Sequence, residues 1–147
     1  MKLVKHILEI KGYDVWSITP DAPVYDALKL MADKGVGALV VLEALQLIGI
    51  ISERDYARKV ILKGKSSKET PVREIMASHV IYTNPNETVE NCMALMTAKH
   101  VRHLPVLVDE RLIGIVSIGD LVKAIISEQE TLIRQLENYI LEYTSIT

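Results

Sequence analysis

Apolar residues recur along the chain in two kinds of pattern, one typical of helices and one typical of buried strands. In the segment Val24–Lys34 the apolar residues fall at helical spacing, and Val89–Lys99 is predicted as a matching helix. Each predicted helix is followed by two short aliphatic runs that have the length and the branched side chains of buried strands. The pattern therefore predicts two helix–strand–strand blocks, with strands at residues 39–42, 47–51, 104–108 and 112–116.

The two blocks are copies of one unit, since sliding the chain along itself by 65 residues aligns them without a gap. The period is too long, and the copies are too few, for a solenoid. Two copies of one supersecondary unit, packed face to face about a pseudo-twofold axis, are the simpler account. The coinciding pairs include Pro20 with Pro85, Gly49 with Gly114, Ser52 with Ser117 and Asp55 with Asp120.

Each copy is predicted to run strand, helix, strand, strand, helix. Its first strand is expected at residues 15–18 or 80–82, and its closing helix after a serine. We therefore predict an α/β (α+β) fold of two β-α-β-β-α repeats, with an N-terminal amphipathic helix and a long C-terminal helix that reaches about Tyr143. The predicted divisions are a lead-in at 1–14, repeats at 15–63 and 79–128, a polar linker at 64–78 and an extension at 129–147.

Two hairpin turns are expected between the paired strands, and their sequences differ. Asp109-Glu110 suits such a turn, because aspartate tolerates the backbone conformations that tight turns need. The other turn, at residues 43–46, contains no glycine, asparagine or aspartate and is unusual for that reason.

The composition is that of an ordinary soluble globular protein, with 49% hydrophobic and 24% charged residues. A net charge of -2 argues against a nucleic-acid binder. The single cysteine, Cys92, is expected to be a small core residue of a chain in a reducing compartment. No run approaches membrane-spanning length, so we expect a cytosolic protein with no membrane partner. Neither a metal-binding cluster nor a nucleophile–base pair is recognisable, and we predict no metal and no enzyme.

The most informative segments are the two strand-to-helix junctions, where a serine is followed three residues later by an aspartate. One interpretation is structural, because serine is a favoured N-cap and an acid at the third helical position completes a variant of the capping box. The other is ligand binding, because the start of a helix attracts phosphate and a carboxylate can accept two ribose hydroxyls. A duplicated fold would duplicate either feature, so both interpretations stay open. The pairs are Ser52 with Asp55 and Ser117 with Asp120.

The repeat plan, the Gly-Ile-Val-Ser-x-x-Asp ending and the sequence Val-Arg-His-Leu-Pro-Val at 101–106 resemble CBS domains, named for cystathionine β-synthase. The likeness covers about residues 15–127, and two copies are that family's usual unit, the Bateman module. The resemblance implies that the closing aspartate binds ribose hydroxyls and that the serine before it binds phosphate. It also implies that side chains preceding the Leu-Pro-Val strand approach the phosphates, while adenine lies between strands of the other copy.

Carried over position by position, the resemblance implies one site at Ser117 and Asp120. Arg102 and His103, which precede Leu-Pro-Val in the second copy, would then hold phosphate. Because the first copy has no such side chains, the site that ends in Asp120 is expected to be the primary one.

The second implied site contains Ser52 and Asp55. Gly37 and Ala38 of the first copy stand where the other copy has arginine and histidine. Their small size is expected to leave room for a purine ring, which is a further reason to favour the cleft that ends in Asp120 as the primary site. Arg54, beside Asp55, is either a substitute for the missing positive charge or an exposed helix arginine.

Two functions from different classes remain after these observations. The leading hypothesis is a regulatory module that binds an adenine nucleotide, AMP before ADP, ATP, NAD(H) or S-adenosylmethionine, and acts on an unidentified enzyme or transporter or as a homodimer. The alternative is a structural oligomerisation module without a ligand, in which the serines and aspartates are only caps. Leu132, Leu136 and Ile140 form an apolar stripe near the end of the long helix, which either folds back over the first copy or packs against a second chain. We predict the second arrangement, a homodimer.

Overall fold

The computed structural model describes residues 2–146, so Met1 of the predicted lead-in and Thr147 of the predicted extension lie outside the described residues. The chain divides into two compact units, which we name after their aspartates. The Asp55 unit is Asp14–Tyr82, and the Asp120 unit combines Met1–Tyr13 with Thr83–Thr147. In chain order the elements are α1 (Val4–Lys11), β1 (Ser17–Ile18), α2 (Val24–Lys34), β2 (Ala38–Glu43), β3 (Gln46–Ser52), α3 (Glu53–Tyr56), α4 (Val72–Ile75), α5 (Val89–Lys99), β4 (His103–Val108), β5 (Arg111–Ser117) and α6 (Ile118–Ile146).

The Asp55 unit is built on a three-stranded sheet in the order β1-β2-β3. Strand β1 is parallel to β2, and β2 is antiparallel to β3. Helix α3 continues as a wider π-helical turn over Ala57–Ile61. Aliphatic side chains from the sheet and the surrounding helices form the core, because their burial supplies the main favourable free energy of folding. The fully buried members include Val24, Met31, Leu39 and Ile51.

The Asp120 unit is built on the antiparallel hairpin β4–β5. The strand predicted at 80–82 is not formed, and that prediction is wrong. The pairing is instead a single parallel bridge between Thr83 and Val106. The chain turns directly after Thr83, where the N–H of Glu87 donates to the carbonyl of Asn84 at 3.2 Å, and Pro85 has no N–H to contribute. The other predicted helices and strands are confirmed, and so are the mixed α/β class and the long C-terminal helix.

Each unit is covered by a short helix that precedes a repeat in the sequence. In the Asp120 unit, the N–H of Val4 donates to the carbonyl of Glu87 at 2.9 Å. In the Asp55 unit, the N–H of Val72 donates to the carbonyl of Ala22 at 2.8 Å. Helices α1 and α4 are therefore counterparts, and the segment predicted as a linker at 64–78 contains one of them.

At each covering helix an apolar side chain packs against a glycine in the middle of a strand. A β-carbon built on Gly114 would lie 2.8 Å from Cδ2 of Leu8. One built on Gly49 would lie 2.6 Å from Sδ of Met76. Both distances are too short for a real contact, so glycine at these positions permits the close approach of the helix to the sheet.

Helix α6 has 29 residues and is about 43 Å long at 1.5 Å per residue. Leu121 and Ala124, in its first turns, are buried in the Asp120 unit. Every residue from 129 to 143 is exposed. The side chains of this segment are therefore largely accessible to solvent.

Candidate functional site

Asp120 lies at the junction where β5 ends and α6 begins. The N–H of Ser117 donates to Oδ2 of Asp120 at 2.8 Å, and the N–H of Asp120 donates to Oγ of Ser117 at 3.2 Å. These reciprocal bonds form a capping box, so the geometry of the structural interpretation is present. The same bonds fix the carboxylate at the edge of the unit, where 19% of the side chain stays exposed.

Arg102 and His103 lie beside this junction, as the resemblance implied. His103 is the register partner of Ser117 across the β4–β5 pair. The carbonyl of Arg102 accepts the N–H of Ile118 at 2.8 Å, which binds the start of α6 to the start of β4. All four residues predicted for the primary site therefore meet at one end of the β4–β5 hairpin.

A fifth residue of this site, Lys11, was not predicted. Its ammonium donates to Oδ2 of Asp120 at 2.7 Å and to the carbonyl of Ile115 at 2.9 Å. Sequence reasoning assigned the N-terminal helix only a packing role. A signal for this helix was available in the sequence, because one five-residue pattern begins at Val4 and again at Val72. The pattern is valine, a basic residue, any residue, isoleucine, and then leucine or methionine. That repeat is offset by 68 residues, so an ungapped comparison at 65 does not show it.

The electrostatics of the Asp120 junction favour an ionised aspartate beside a neutral histidine. Burial by itself would raise the pKa of Asp120, but hydrogen bonds from Lys11 and Ser117 outweigh it and hold that pKa below its usual value. Burial lowers the pKa of His103, and the positive charges of Lys11 and Arg102 lower it further, against the opposing effect of Asp120.

The junction at Asp55 has the same capping geometry. Oδ2 of Asp55 accepts the N–H and the hydroxyl of Ser52, each at 3.0 Å. A lysine is again present, but it is Lys59, one turn further along the same helical segment. Its Nζ lies 3.5 Å from Oδ1 of Asp55 and donates to the carbonyl of Ile75 at 3.0 Å.

Gly37, Ala38 and Arg54 also lie at this junction. Ala38 is the register partner of Ser52, and the carbonyl of Gly37 accepts the N–H of Glu53 at 3.1 Å. Ala38 is 6% exposed, so its methyl group belongs to the core. Arg54 is partly buried next to the aspartate. A small neutral pair thus lies at this junction, where the Asp120 unit has arginine and histidine.

A cavity of about 310 Å³ lies between α1 and α6 in the Asp120 unit. Apolar side chains form its floor, and lysines from both helices stand around it. Asp120 belongs to its wall, so the cavity adjoins the capped carboxylate. The lining residues are Lys2, His6, Ile7, Ile10, Lys11, Asp120, Lys123, Ala124 and Ser127.

Three further expectations concern the thiol, metal binding and membranes. Cys92 is fully buried, as predicted for a core residue, and burial raises the pKa of its thiol. Within residues 2–146, histidine, cysteine and acidic side chains do not gather in threes as a metal site would need. No helix in that range has both the length and the apolar character to cross a membrane.

Comparisons with known proteins agree on one family. The CBS-domain model matches residues 6–62 and 72–127. The mitochondrial CBS domain-containing protein CBSX3 of Arabidopsis thaliana is 46% identical over 134 residues, which are 88% of this chain and 65% of that protein. The chain thus spans slightly less than two thirds of this relative.

Solved structures show the same architecture. A CBS-domain protein from Burkholderia ambifaria matches with a TM-score of 0.84 and 50% identity, over 87% of this chain and 96% of that one. The CBS domain pair of protein MJ0100, in complex with 5′-methylthioadenosine and S-adenosyl-L-methionine, matches with a TM-score of 0.78 and 25% identity, over 87% of this chain and 98% of that one. With two family matches in one chain, each ending in a capped aspartate, this protein belongs to the CBS-domain family and carries two CBS domains in tandem.

Proposed function

We propose that this chain is a regulatory module that binds an adenine nucleotide, AMP before ADP, ATP, NAD(H) or S-adenosylmethionine, with its primary site at the Asp120 junction. The observation that carries the proposal is the Asp120 carboxylate, which is ionised, fixed by Ser117 and surrounded by positive groups. An ionised carboxylate forms charge-assisted hydrogen bonds with hydroxyl donors, which are about twice as strong as neutral ones. A vicinal diol such as that of ribose offers two such donors.

The positive groups around Asp120 suit the phosphate of the same ligand. Arg102 is exposed, and guanidinium groups bind phosphate through paired donors. The backbone N–H groups at the start of α6 add a partial positive charge at the same edge. A ligand that carries both a diol and a phosphate therefore matches this junction better than one that carries either group alone.

Binding at the Asp55 junction is proposed to be weaker. Its cations are Arg54 and Lys59, and Nζ of Lys59 lies 3.5 Å from Oδ1 of Asp55. No side chain there corresponds to Arg102, because the equivalent residue is Gly37.

The class of ligand is supported by the domain pair of MJ0100, whose structure contains two adenosine compounds. We propose the same class here because the matched region covers 87% of this chain. In this proposal the chain is not an enzyme. It works in the cytosol on an unidentified enzyme or transporter, through changes in shape that depend on ligand occupancy.

A panel of adenine and guanine nucleotides in a thermal-shift assay tests the ligand class. A ligand that binds only the folded state adds about 2.7 kcal/mol of stability at a hundredfold excess over its Kd, so AMP should raise the melting temperature. If no adenine compound at millimolar concentration changes the melting temperature, the chain is a structural oligomerisation module instead.

Asp120→Asn separates ligand binding from capping. The amide keeps an acceptor for the N–H groups, so the cost in stability should be at most about 1 kcal/mol. Loss of the charged acceptor should weaken AMP about tenfold or more. The matched variant Asp55→Asn should weaken AMP less. Arg102→Ala should weaken AMP more than adenosine, and an equal loss for both ligands would remove Arg102 from its assigned role.

We also propose that two copies of the chain pair through α6. The exposed half of this helix has an apolar stripe whose side chains are 54% to 67% exposed, which is more than a monomer in water normally leaves uncovered. The stripe consists of Leu132, Leu136, Tyr139, Ile140 and Tyr143.

The charges on α6 and around the cavity indicate where this stripe packs on the second copy. Residues 128–143 contain four glutamates and a single basic residue, Arg134, so two such segments repel each other. Apolar side chains line the cavity between α1 and α6 together with Lys2 and Lys123. The acidic half of α6 from one copy is therefore proposed to pack against Lys2 and Lys123 of the other, and a twofold axis makes the contact reciprocal.

Light scattering tests this pairing. The full-length chain is expected to be a dimer at micromolar concentration, and a chain that ends after Glu130 is expected to be a monomer. Lys123→Glu should weaken the dimer about tenfold, because it places a like charge against the acidic helix. A full-length monomer contradicts the dimer, and a truncated chain that stays dimeric contradicts the role of α6.

A further inference from the structure

We propose that Lys11 makes binding at Asp120 depend on a phosphate group in the ligand, an inference that rests on the nucleotide-binding function proposed above. Lys11 would thereby act as a specificity-determining residue that rejects uncharged nucleosides.

The position of the ammonium carries this inference. Nζ of Lys11 lies 2.7 Å from Oδ2 of Asp120, the same oxygen that accepts the N–H of Ser117. It also donates to the carbonyl of Ile115 at 2.9 Å. A diol that approaches Asp120 therefore meets a carboxylate oxygen that already accepts two hydrogen bonds. Of the two donors, the side chain of Lys11 is the one that can move away.

Displacing this lysine breaks a charge-assisted hydrogen bond and therefore costs free energy. The side chains of Lys11 and Asp120 are 34% and 19% exposed, so water replaces the lost interaction only partly. A neutral nucleoside gives the displaced ammonium no new anion. A nucleotide brings a phosphate to the same edge, and the compact ammonium on its flexible stem can bind that phosphate instead.

The helix that carries Lys11 need not move for this exchange. Val4 and Leu8 anchor α1 in the core, where both are fully buried. Lys11 is the last residue of the helix, and Gly12 follows with a φ of 99°, a conformation that ends the helix there. Only the lysine side chain has to change its rotamer.

The Asp55 junction provides a natural control. Lys59 approaches Oδ1 of Asp55 at 3.5 Å and leaves Oδ2 to the Ser52 donors. Lys59 is thus further from its carboxylate than Lys11 is from Asp120, and it pairs with the other oxygen. Binding at this second junction should discriminate less between AMP and adenosine.

The test is a calorimetric titration of the full-length chain with AMP and with adenosine. In Lys11→Gln, adenosine should bind about threefold more tightly and AMP about threefold more weakly, so their affinity ratio should fall about tenfold. Lys11→Arg should keep the preference for AMP, because it keeps the charge. Lys59→Gln, the matched control, should change the ratio by less than about twofold.

The outcomes separate this inference from the proposed function. If Lys11→Gln binds both ligands with an unchanged ratio, the role of Lys11 is wrong and the nucleotide site stands. If the unaltered chain binds neither ligand, the proposed function itself is wrong. If the variant does not fold, the same titrations of the natural chain at raised salt concentration give the same information. Screening should weaken AMP and strengthen adenosine, and parallel losses for both would contradict the inference.

Discussion

In both units a lysine lies beside the aspartate of the capped junction, but the lysine comes from a different part of the chain in each unit. In the Asp55 unit, Lys59 belongs to the helical segment that begins at the capped junction. In the Asp120 unit, Ala124 stands at the corresponding position, and the charge comes from Lys11, which is 109 residues away in sequence. The charge balance of Asp55 is therefore local, whereas that of Asp120 depends on the packing of α1.

The two covering helices explain why the lysine beside the aspartate comes from a different segment in each unit. Helix α1 has 8 residues and extends as far as Lys11, beside Asp120. Helix α4 has 4 residues, and directly after it Ala77 exchanges two backbone hydrogen bonds with Ile50, at 2.9 and 3.0 Å. This pairing aligns the chain with the edge of the sheet directly after α4. Helix α4 therefore cannot place a side chain beside Asp55.

The largest expected effect comes from loosening α1. Leu8 is fully buried against Gly114, so Leu8→Ala should lower the free energy of unfolding by about 3 kcal/mol. Met76→Ala, the counterpart in the Asp55 unit, should cost only about 1 kcal/mol, since Met76 is partly exposed. Urea unfolding of both variants measures the difference. Equal losses would show that the two covering helices contribute equally and would break the comparison.

Much of this architecture was predictable from the sequence, because the elements inside one repeat are set by local pattern. The limits of α2 and α5 follow from the helical spacing of their apolar residues, and the capped aspartates follow from Ser-x-x-Asp. The contact between Lys11 and Asp120 could not be predicted, because it depends on which unit α1 packs against. The bridge at Thr83 was displaced from the expected strand because a turn and a proline follow it immediately.

A smaller effect is expected from the pH dependence of the Asp120 unit. The folded-state pKa of Asp120 lies below its value in the unfolded chain, which is about 3.9. Its ionised form therefore adds stability above that pH, and the gain is lost as the pH falls through the folded pKa.

Asp120→Asn should accordingly cost about 1 kcal/mol at pH 7, and this cost should disappear as the pH falls below the folded-state pKa of Asp120, where the natural carboxyl is also neutral. Lys11→Met should reduce the same acid-sensitive contribution from the other side of the pair. Free energies of unfolding measured between pH 7 and pH 2 provide the test. A difference between Asp120→Asn and the natural chain that stays constant over this range would show that charge is not its cause.

The smallest expected effect is the difference in stability gained at the two hairpin turns. Both central residues of each turn have positive φ, at 50° and 67° for Ala44 and Leu45 and at 48° and 66° for Asp109 and Glu110. This conformation favours Asn-Gly, and alanine and leucine adopt it less readily than aspartate does. Replacing Ala44-Leu45 by Asn-Gly should stabilise the chain by about 1 kcal/mol, because Leu45 is 93% exposed and loses no packing.

The same replacement at Asp109-Glu110 should gain less, about 0.5 kcal/mol, because aspartate already tolerates the left-handed region. Thermal unfolding of the two variants gives the ranking. A larger gain at Asp109-Glu110 would mean that the strain at Ala44-Leu45 is relieved by the neighbouring strands.

The placement of α1 has a consequence for the order in which the protein is made. The Asp55 unit is continuous in sequence and is complete once Tyr82 has left the ribosome. Leu8 is synthesised well before Gly114, so its apolar surface stays uncovered until that later residue has been made. At roughly 5–20 residues per second this interval is on the order of ten seconds. During it the amphipathic helix α1 has no sheet of its own unit to pack on.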